Sequence, residues 1–352
     1  MRIGTITFHW ATNYGAVLQA YALQRYLIKS GFKTEIINYV PFKVKAREIL
    51  SNIKRLQINN LKKEYKINKF RNKNLMLSRR KFHSNDQLYK YCNDYDAYVC
   101  GSDQVWNEWF LKSSENKPNL SYYLNFVSTS KKRISYATSF GANKLSDENA
   151  NVVKTELDKF NNIGVRENTG KSIIENLGLN AHLVVDPTLL LDVNEYNELI
   201  AHINKKSHYK LFSYVLHKNQ DISLKINNYI FGNYFSDKDK IYYNEPIGIP
   251  EWLYALKNSE FVLTNSFHGS IFSIVFRRPF LVVPVEGSKM NDRITTLLHS
   301  VGLENRIIDE YNESTIDRLM NETIDWEKVD EKVKEMRKGS INFLENSLVQ
   351  QK

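Results

Sequence analysis

The sequence contains little of what disulfide-stabilised, collagenous or membrane-spanning proteins require. Only two cysteines, Cys92 and Cys100, occur in 352 residues, and neither has a Cys or His partner at zinc-site spacing. Glycine and proline number 14 and 7, too few for a collagenous or low-complexity protein. The longest apolar runs, such as 271–276 and 280–285, reach about six residues, whereas a spanning helix needs about 20. These absences favour a globular protein of a reducing compartment.

An export signal and several familiar catalytic motifs are also missing. The short alternating run 1–8 ends at His9 and is too short for the apolar region of a signal peptide, which predicts a cytoplasmic location. The sequence has no P-loop motif, no G-x-S-x-G elbow and no H-E-x-x-H pair, which argues against P-loop hydrolysis, α/β-hydrolase chemistry and zinc proteolysis. Asp103 and Asp186 stand alone, so we expect no metal site.

The positive charge is concentrated in one segment. The formal net charge is +10, but residues 43–82 contain 14 Lys and Arg against 2 Glu, so the rest of the chain is slightly acidic. A solvated basic face is one interpretation. Attraction to an anionic membrane surface or a lipid-linked phosphate is another, and RNA binding ranks third because no recognition motif accompanies the charge. Apolar residues at near-helical spacing predict an amphipathic helical insertion here: Ile49, Leu50, Ile53, Leu56, Ile58 and Leu61.

The first half of the chain has the pattern of a Rossmann-like domain. A strand over 2–8, a polar loop over 9–15, a helix over 16–30 and a strand over 34–39 form a βαβ unit. The first loop therefore lies at the carboxyl end of its strand, where α/β sheets usually bind ligands. Gly15 is the only glycine in that loop, so the dinucleotide-binding fingerprint is absent. Further strands are predicted at 95–100, 133–137, 163–166 and 183–186.

The second half repeats the alternation of strands and helices. We predict an α/β protein with two Rossmann-like domains facing a cleft, similar to the GT-B architecture. The first domain covers 1–185 and carries the basic insertion, the second covers 186–324, and a helix over 325–352 packs back on the first. The elements predicted for the second half are strands at 209–216, 239–243, 261–264 and 280–285, and helices at 221–230, 250–258 and 270–276.

The loop 265–270 has the composition of an anion-binding site. It lies between a buried strand and a buried helix, so backbone N–H groups and the helix dipole point at any ligand there. His268 can exchange a proton near neutral pH, and Gly269 allows a ligand to approach the backbone. A cap or an ordinary hydrogen bond is an equal alternative for His268. Asn265, Ser266 and Ser270 complete the candidate site.

Two further segments carry cations just after predicted strands. Arg166 can clamp a carboxylate or phosphate through two parallel hydrogen bonds, or it can form a structural ion pair with Glu167 or Asp186. The loop 287–293 places Gly, Ser, Lys and Arg close together, which suits an anion or surface salt bridges. Both segments are candidates for the same anionic ligand.

Several short motifs occur in an order that resembles one family. The chain resembles the polysaccharide pyruvyl transferases from residue 1 to about residue 306. The resemblance rests on Asn13-Tyr14-Gly15, Gly101-Ser102-Asp103-Gln104-Val105-Trp106, Ser135-Tyr136-Ala137 with Ser139-Phe140-Gly141, Val165-Arg166-Glu167, Val185-Asp186-Pro187-Thr188, Ser266-Phe267-His268-Gly269, and Asn291 with Arg293.

This resemblance implies a transferase with a GT-B-like fold. It would transfer the enolpyruvyl unit of phosphoenolpyruvate to a nucleotide- or lipid-linked sugar, forming a pyruvate ketal on an exopolysaccharide or capsule precursor. Phosphoenolpyruvate is then a substrate, and no cofactor is expected. His268 and Arg166 would be catalytic. The substrate-binding candidates are Asn13, Tyr14, Gly15, Gly101, Ser102, Asp103, Asn265, Ser266, Gly269, Ser270, Lys289, Asn291 and Arg293.

One residue departs from the family pattern. Many members carry an Arg two residues before the His, where this chain has Ser266. Either Arg293 or Lys289 replaces that charge, or the donor is not phosphoenolpyruvate. The alternatives are a GT-B-like glycosyltransferase that uses a sugar nucleotide, and a basic, non-enzymatic binder of an anionic polymer or of a membrane surface in contact with 43–82.

Overall fold

Contacts divide the chain into two compact units. The first comprises Met1–Leu191 and Met336–Lys352, and the second comprises Asp192–Glu335. The sequence placed these boundaries after residues 185 and 324, six and eleven residues earlier. The computed structural model describes residues 1–41, 58–111, 118–203, 208–216, 221–236, 238–243, 245–285 and 291–349.

The first unit is built on a seven-stranded parallel sheet. The strand order is β3-β2-β1-β4-β5-β6-β7, so the order reverses between β1 and β4. Such a reversal leaves a crevice beyond the carboxyl ends of the two strands, the usual ligand position in open α/β sheets. The strands are β1 Arg2–Ile6, β2 Lys33–Tyr39, β3 Leu77–Phe82, β4 Ala97–Cys100, β5 Lys132–Thr138, β6 Asn162–Val165 and β7 His182–Leu183.

Helices connect these strands and cover the sheet. In the first of them, α1, the Asn13 side chain accepts a hydrogen bond from Ala16 N at 3.2 Å, and Gly31 follows the helix with a φ of +85°. A left-handed residue after the last turn is a common helix stop, and glycine adopts it without strain. The helices are α1 Tyr14–Lys29, α2 Ile58–Asn74, α3 Asn85–Tyr91, α4 Asp147–Leu157 and α5 Asn168–Asn176.

The basic segment differs from the helical insertion predicted over 43–82. Residues 42–57, including Ile49, Leu50, Ile53 and Leu56, lie outside the described residues. The described part is the helix α2 followed by the strand β3, which pairs with the edge strand β2 in parallel. The helix prediction is therefore wrong for 77–82. Pairing with β2 satisfies the backbone of this segment, a long-range contact that local periodicity does not reveal.

The second unit has a four-stranded parallel sheet with the order β11-β10-β8-β9. Its strands are β8 Tyr209–Tyr214, β9 Ile241–Tyr243, β10 Ser259–Thr264 and β11 Phe280–Val282. Its helices are α6 Val193–Ile200, α7 Asp221–Tyr234, α8 Ile249–Lys257, α9 Phe267–Val275, α10 Asp292–Val301 and α11 Glu313–Asn321, before the long α12 Trp326–Leu348. The predicted α/β class with Rossmann-like parallel sheets is confirmed in both units.

The carboxyl-terminal half of α12 packs on the first sheet. Ser340 Oγ accepts a hydrogen bond from Val185 N at 2.9 Å, and Lys132 Nζ donates to Ser347 O at 3.0 Å. Gly164 of β6 allows this approach, because a Cβ there would lie 2.8 Å from the Phe343 ring. Among the described residues, none of the helices has the length and apolar character needed to cross a membrane.

Candidate active site

The carboxyl edge of the first sheet holds Arg166 in a buried ion-pair cluster. Its guanidinium donates to Asp186 Oδ2 at 2.7 Å and to Asp103 Oδ1 at 2.9 Å, and the side chain is 1% exposed. Glu167 Oε2 lies 3.8 Å from Arg166 Nε. Asp103, Arg166 and Asp186 lie just beyond three different strands, so their contacts tie the ends of β4, β6 and β7 together. The ion pair with Asp186, one of the two interpretations of the sequence, is present.

The carboxylates keep Arg166 charged despite its burial. Burial alone lowers the pKa of the guanidinium, but Asp103, Asp186 and Glu167 outweigh it and raise the pKa above its ordinary value. A buried cation with neighbouring carboxylates is a stable arrangement only while every partner remains. The role of Arg166 toward a donor substrate stays a prediction.

Asp186 is the most buried carboxylate of this cluster. Besides Arg166, it accepts hydrogen bonds from Ser102 Oγ at 3.1 Å and from Thr188 Oγ1 at 2.7 Å. Ser102 N donates to Gln19 Oε1 at 3.0 Å. The predicted substrate-binding residue Ser102 is thus committed to hydrogen bonds within the protein.

Gly101 is required by the backbone of this edge. Its φ is +118°, and a Cβ would lie 2.2 Å from Tyr136 O. The Gly101–Ser102 peptide is cis, and Asp103 follows with a φ of +81°. The motif that the sequence offered as substrate-binding therefore has a structural explanation as well.

The amino terminus of α1 lies at the point where the strand order reverses. Tyr14 is buried there as its first residue, and Lys63 of α2 places Nζ 4.1 Å from the Tyr14 ring centroid. Burial lowers the pKa of Lys63 to about 8. Arg71 of the same helix donates to Ala11 O at 2.6 Å, which fastens α2 beside the loop after β1. Sequence reasoning missed Lys63, because only its place in the basic segment was visible.

The candidate anion site of the second unit begins where β10 ends. Ser266 is the N-cap of α9, and its Oγ accepts a hydrogen bond from Gly269 N at 3.3 Å. His268, Gly269 and Ser270 therefore lie in the first turn of the helix, which corrects the loop predicted over 265–269. His268 is 7% exposed. The Ser at the position of the family's usual Arg acts here as a helix cap.

Gly269 is needed by packing between α9 and β10. A Cβ at this position would lie 2.4 Å from Thr264 Oγ1. Thr264 Oγ1 donates to Tyr214 O at 2.8 Å and accepts from Ser266 N at 3.0 Å, so the hydroxyl is held in place. Packing against Thr264 is therefore a reason for glycine at this position, and the approach of a ligand to its backbone stays a prediction.

Asn265 retains hydrogen-bonding capacity beside this turn. Its Oδ1 accepts from Leu216 N at 2.7 Å, which orients the amide. Its Nδ2 is buried and makes no hydrogen bond to any of the residues that the structure describes. A buried amide donor of this kind is expected to find a partner, such as an anionic ligand or water.

Arg293 lies next to the first turn of α9. Its guanidinium is 5.5 Å from the Phe267 ring centroid, and the Phe267 and His268 rings are 5.3 Å apart. Asn291 bonds both backbone groups of Val285, donating to O at 2.7 Å and accepting from N at 3.1 Å. Of the two candidate replacements for the family Arg, Arg293 is near the site, and Lys289 lies outside the described residues.

Comparison with solved structures defines the fold class. The chain is similar to UDP-GlcNAc 2-epimerase from Methanocaldococcus jannaschii, with 12% identity, a TM-score of 0.53, and coverage of 98% of this chain and 100% of the other. For UDP-GlcNAc 2-epimerase from Neisseria meningitidis bound to UDP-GlcNAc, the identity is 10%, the TM-score 0.52 and the coverage 98% and 100%. For the S. aureus MnaA–UDP structure the values are 11%, 0.54, and 99% and 96%. These likenesses confirm the predicted GT-B-like α/β fold.

The family follows from the sequence itself. The polysaccharide pyruvyl transferase family model matches residues 13–287, and the chain belongs to that family. The resemblance inferred from the motifs is therefore confirmed, and the family is one of transferases. A search of curated proteins found no significant match.

Proposed function

We propose that this protein transfers the enolpyruvyl unit of phosphoenolpyruvate to a sugar of a surface-polysaccharide precursor and forms a pyruvate ketal. The observation that carries the proposal is the family match over residues 13–287, which includes both Arg166 and the His268 turn. Phosphoenolpyruvate is the donor substrate, no cofactor takes part, and the reaction takes place in the cytoplasm.

The chemistry requires one proton at carbon and the departure of phosphate. A sugar hydroxyl adds to C2 of phosphoenolpyruvate while C3 gains a proton and becomes a methyl group. A second hydroxyl of the same sugar then forms the other C2–O bond, and the C2–O bond to phosphate breaks. The two hydroxyl protons balance the methyl group and the released phosphate. His268 is the proposed proton donor to C3.

The start of α9 suits the anionic donor. The backbone N–H groups and the dipole of the helix favour an anion, and Asn265 Nδ2 adds a buried donor beside them. Arg293 supplies the positive charge that Ser266 lacks, because the Arg293 guanidinium lies over the ring of Phe267, which belongs to the first turn of α9. Charge at this point also stabilises the phosphate as it leaves.

The amino terminus of α1 is the proposed position for the acceptor phosphate. This terminus follows β1, where the strand order reverses between β1 and β4. The Lys63 ammonium lies over the Tyr14 ring and supplies a positive charge there. A nucleotide- or lipid-linked sugar carries a phosphate of this kind. The epimerase from Neisseria meningitidis, solved with UDP-GlcNAc bound, supports a nucleotide-linked sugar as the first acceptor to test.

The test begins with calorimetric titration of phosphoenolpyruvate into the wild-type protein and into Arg293→Met. We expect binding in the wild type and at least about tenfold weaker binding in the variant, because one charged hydrogen-bond partner is lost. Arg318→Met is the matched control, since Arg318 is 58% exposed and pairs with Glu322 on the surface. No binding of phosphoenolpyruvate, alone or with an acceptor sugar, would refute the proposed donor.

Turnover tests the role of His268. Phosphate release from phosphoenolpyruvate is followed with a panel of nucleotide-linked sugars, in the wild type and in His268→Gln. We expect kcat to fall by about 10²–10⁴-fold while the donor still binds, because the variant lacks the general acid but keeps the groups proposed to hold the donor. His299→Gln, on an exposed position of α10, is the control. Full activity in His268→Gln would remove His268 from the mechanism.

A glycosyltransferase that uses a sugar nucleotide is the second candidate. The observation that favours it is Ser266, which serves as the α9 cap in place of the family's usual Arg. If the protein binds a uridine-linked sugar but does not bind phosphoenolpyruvate, the glycosyltransferase becomes the favoured function.

A further inference from the structure

The helix α2 has an outward face that the proposed function does not use. Three large apolar side chains are exposed on it, with Ile58 at 60%, Leu61 at 43% and Tyr65 at 74%. Their spacing of three and four residues places them on one side of the helix. Exposed lysines accompany them along the same side. The outward face of α2 is defined by Ile58, Leu61, Lys62, Tyr65, Lys66, Lys69 and Lys73.

The opposite side of α2 anchors the helix to the first unit. Ile67 and Phe70 are buried, and the Phe70 ring packs edge-on against Tyr21 of α1 at 5.9 Å. Arg71 donates to Ala11 O at 2.6 Å and pairs with Glu64 at 3.2 Å. Within the part of the chain that the structure describes, the inner face of α2 packs on the first unit, while Ile58, Leu61 and Tyr65 stay exposed.

The charge of the outward face has a single sign. Glu64 is the only carboxylate in the sequence of α2, and it lies inward, bonded to Arg71. The strand that follows adds three exposed cations, Arg79, Arg80 and Lys81. A helix with lysines around a central apolar patch is typical of segments that lie in a lipid interface.

We propose that the outward face of α2 docks on an anionic lipid surface. The lysines contact the lipid phosphates, while Ile58, Leu61 and Tyr65 enter the boundary between headgroups and acyl chains. The apolar patch favours a bilayer over a nucleic acid, since phosphate contacts with RNA need the lysines alone. This inference goes beyond the proposed function and does not depend on it, because binding to lipid is measured without turnover.

The experiment measures flotation of the full chain with vesicles of phosphatidylcholine, with and without phosphatidylglycerol. We expect binding only to the anionic vesicles. Replacing Lys62, Lys66 and Lys69 by Gln should weaken it by at least about tenfold, because each lysine contributes to attraction at an anionic surface. The control removes the same charge from exposed positions of α12, with Lys328, Lys334 and Lys338 replaced by Gln, and should bind almost as the wild type does.

A second pair of variants isolates the apolar patch. Leu61→Gln with Tyr65→Gln should reduce vesicle binding severalfold, whereas Leu224→Gln with Tyr311→Gln, at exposed positions of the second unit, should not. Equal loss in both lysine triples would mean that net charge alone binds and would overturn the docking surface. No binding to anionic vesicles would also overturn it. The proposal would also be overturned if the protein bound a labelled RNA but no lipid, and if Leu61→Gln with Tyr65→Gln left the RNA binding unchanged.

Discussion

His9 in the first unit and His268 in the second each lie beyond the end of a strand, and their surroundings differ. His9 follows β1 and is buried, with Nδ1 at 3.2 Å from Thr7 O and Nε2 at 3.3 Å from Asn38 Oδ1. His268 lies in the first turn of α9, beside a helix amino terminus and Arg293. Burial lowers the pKa of His9 to about 4, which keeps it neutral near pH 7. A position after a parallel strand is therefore not enough to mark a catalytic histidine.

The same contrast extends to the neighbouring residues. In the first unit, Arg166, Ser102 and Asp186 bind one another at the strand ends. In the second, Asn265 keeps a buried amide donor without a hydrogen bond among the described residues. The first edge has the features of a structural ion-pair cluster, and the second has the features of a ligand site. Three substitutions test this difference.

The largest effect is expected at the ion-pair cluster. Arg166→Met should lower the free energy of unfolding by about 3–5 kcal/mol, because it leaves Asp186 and Asp103 without their cation in a buried position. Denaturant unfolding measures the loss. Arg318→Met, on the surface, should change stability by less than about 0.5 kcal/mol.

An Arg166→Met protein with wild-type stability would contradict the structural interpretation. It would return Arg166 to the set of residues that are available for a donor substrate. If Arg166→Met is less stable but its folded fraction still binds the donor, Arg166 has a structural role and the first turn of α9 is the better candidate for the donor site.

The next effect concerns pH. Burial lowers the pKa of His9 from its usual 6.5 to about 4, so between these values the unfolded chain binds more protons than the folded one. The free energy of unfolding should therefore fall as the pH decreases through this range, by up to about 3 kcal/mol from this group. His9→Gln should remove most of that slope in unfolding curves recorded from pH 7 to pH 4.

His299→Gln serves as the control for the pH measurement, because His299 lies on an exposed part of α10. Its slope should match that of the wild type. A wild-type slope in His9→Gln would mean that His9 does not bury a neutral imidazole.

The smallest effect is expected at the helix of the candidate site. Gly269→Ala should destabilise the protein by about 1–3 kcal/mol, because the new methyl group meets Thr264 Oγ1, which two hydrogen bonds hold in place. Thermal unfolding measures the change. Gly232→Ala in α7 is the matched control, since a Cβ there would meet no described atom within 4 Å beyond its chain neighbours and its own helix backbone. It should be neutral or stabilising.

Combining Gly269→Ala with Thr264→Ala should cost less than the sum of the two single changes, since the clash disappears with the hydroxyl. Strict additivity would show that the two residues do not compete for the same space. Donor binding that survives Gly269→Ala would fit a packing role for this glycine.

Local patterns predicted much of the fold. Apolar runs between turn residues located most strands of both sheets, and Gly31 ended the first helix as expected. The strand over 77–82 was missed because its partner β2 is distant in sequence, so its pairing has no local signal. The start of α9 was missed by three residues, since the cap of Ser266 to Gly269 N is visible only in the backbone.

The candidate site was predictable only as a set of residue types. The resemblance gave catalytic roles to both His268 and Arg166, and the residue types alone left a structural ion pair open for Arg166. The partners of Arg166 come from the ends of β4 and β7, and their distances depend on the sheet order. Lys63 was invisible for the same reason, because its position over Tyr14 depends on how α2 packs against α1.

The sequence by itself determined the fold class, the family and the residues that carry charge or exchange protons, because these follow from composition, periodicity and short motifs. The tertiary structure decided which of those residues are committed to internal bonds. Arg166 and His9 are buried among partners brought from distant strands, whereas His268 lies at a helix start. Burial and long-range contacts determine the pKa and the hydrogen-bonding capacity of a side chain. Local sequence specifies neither the burial nor the contacts.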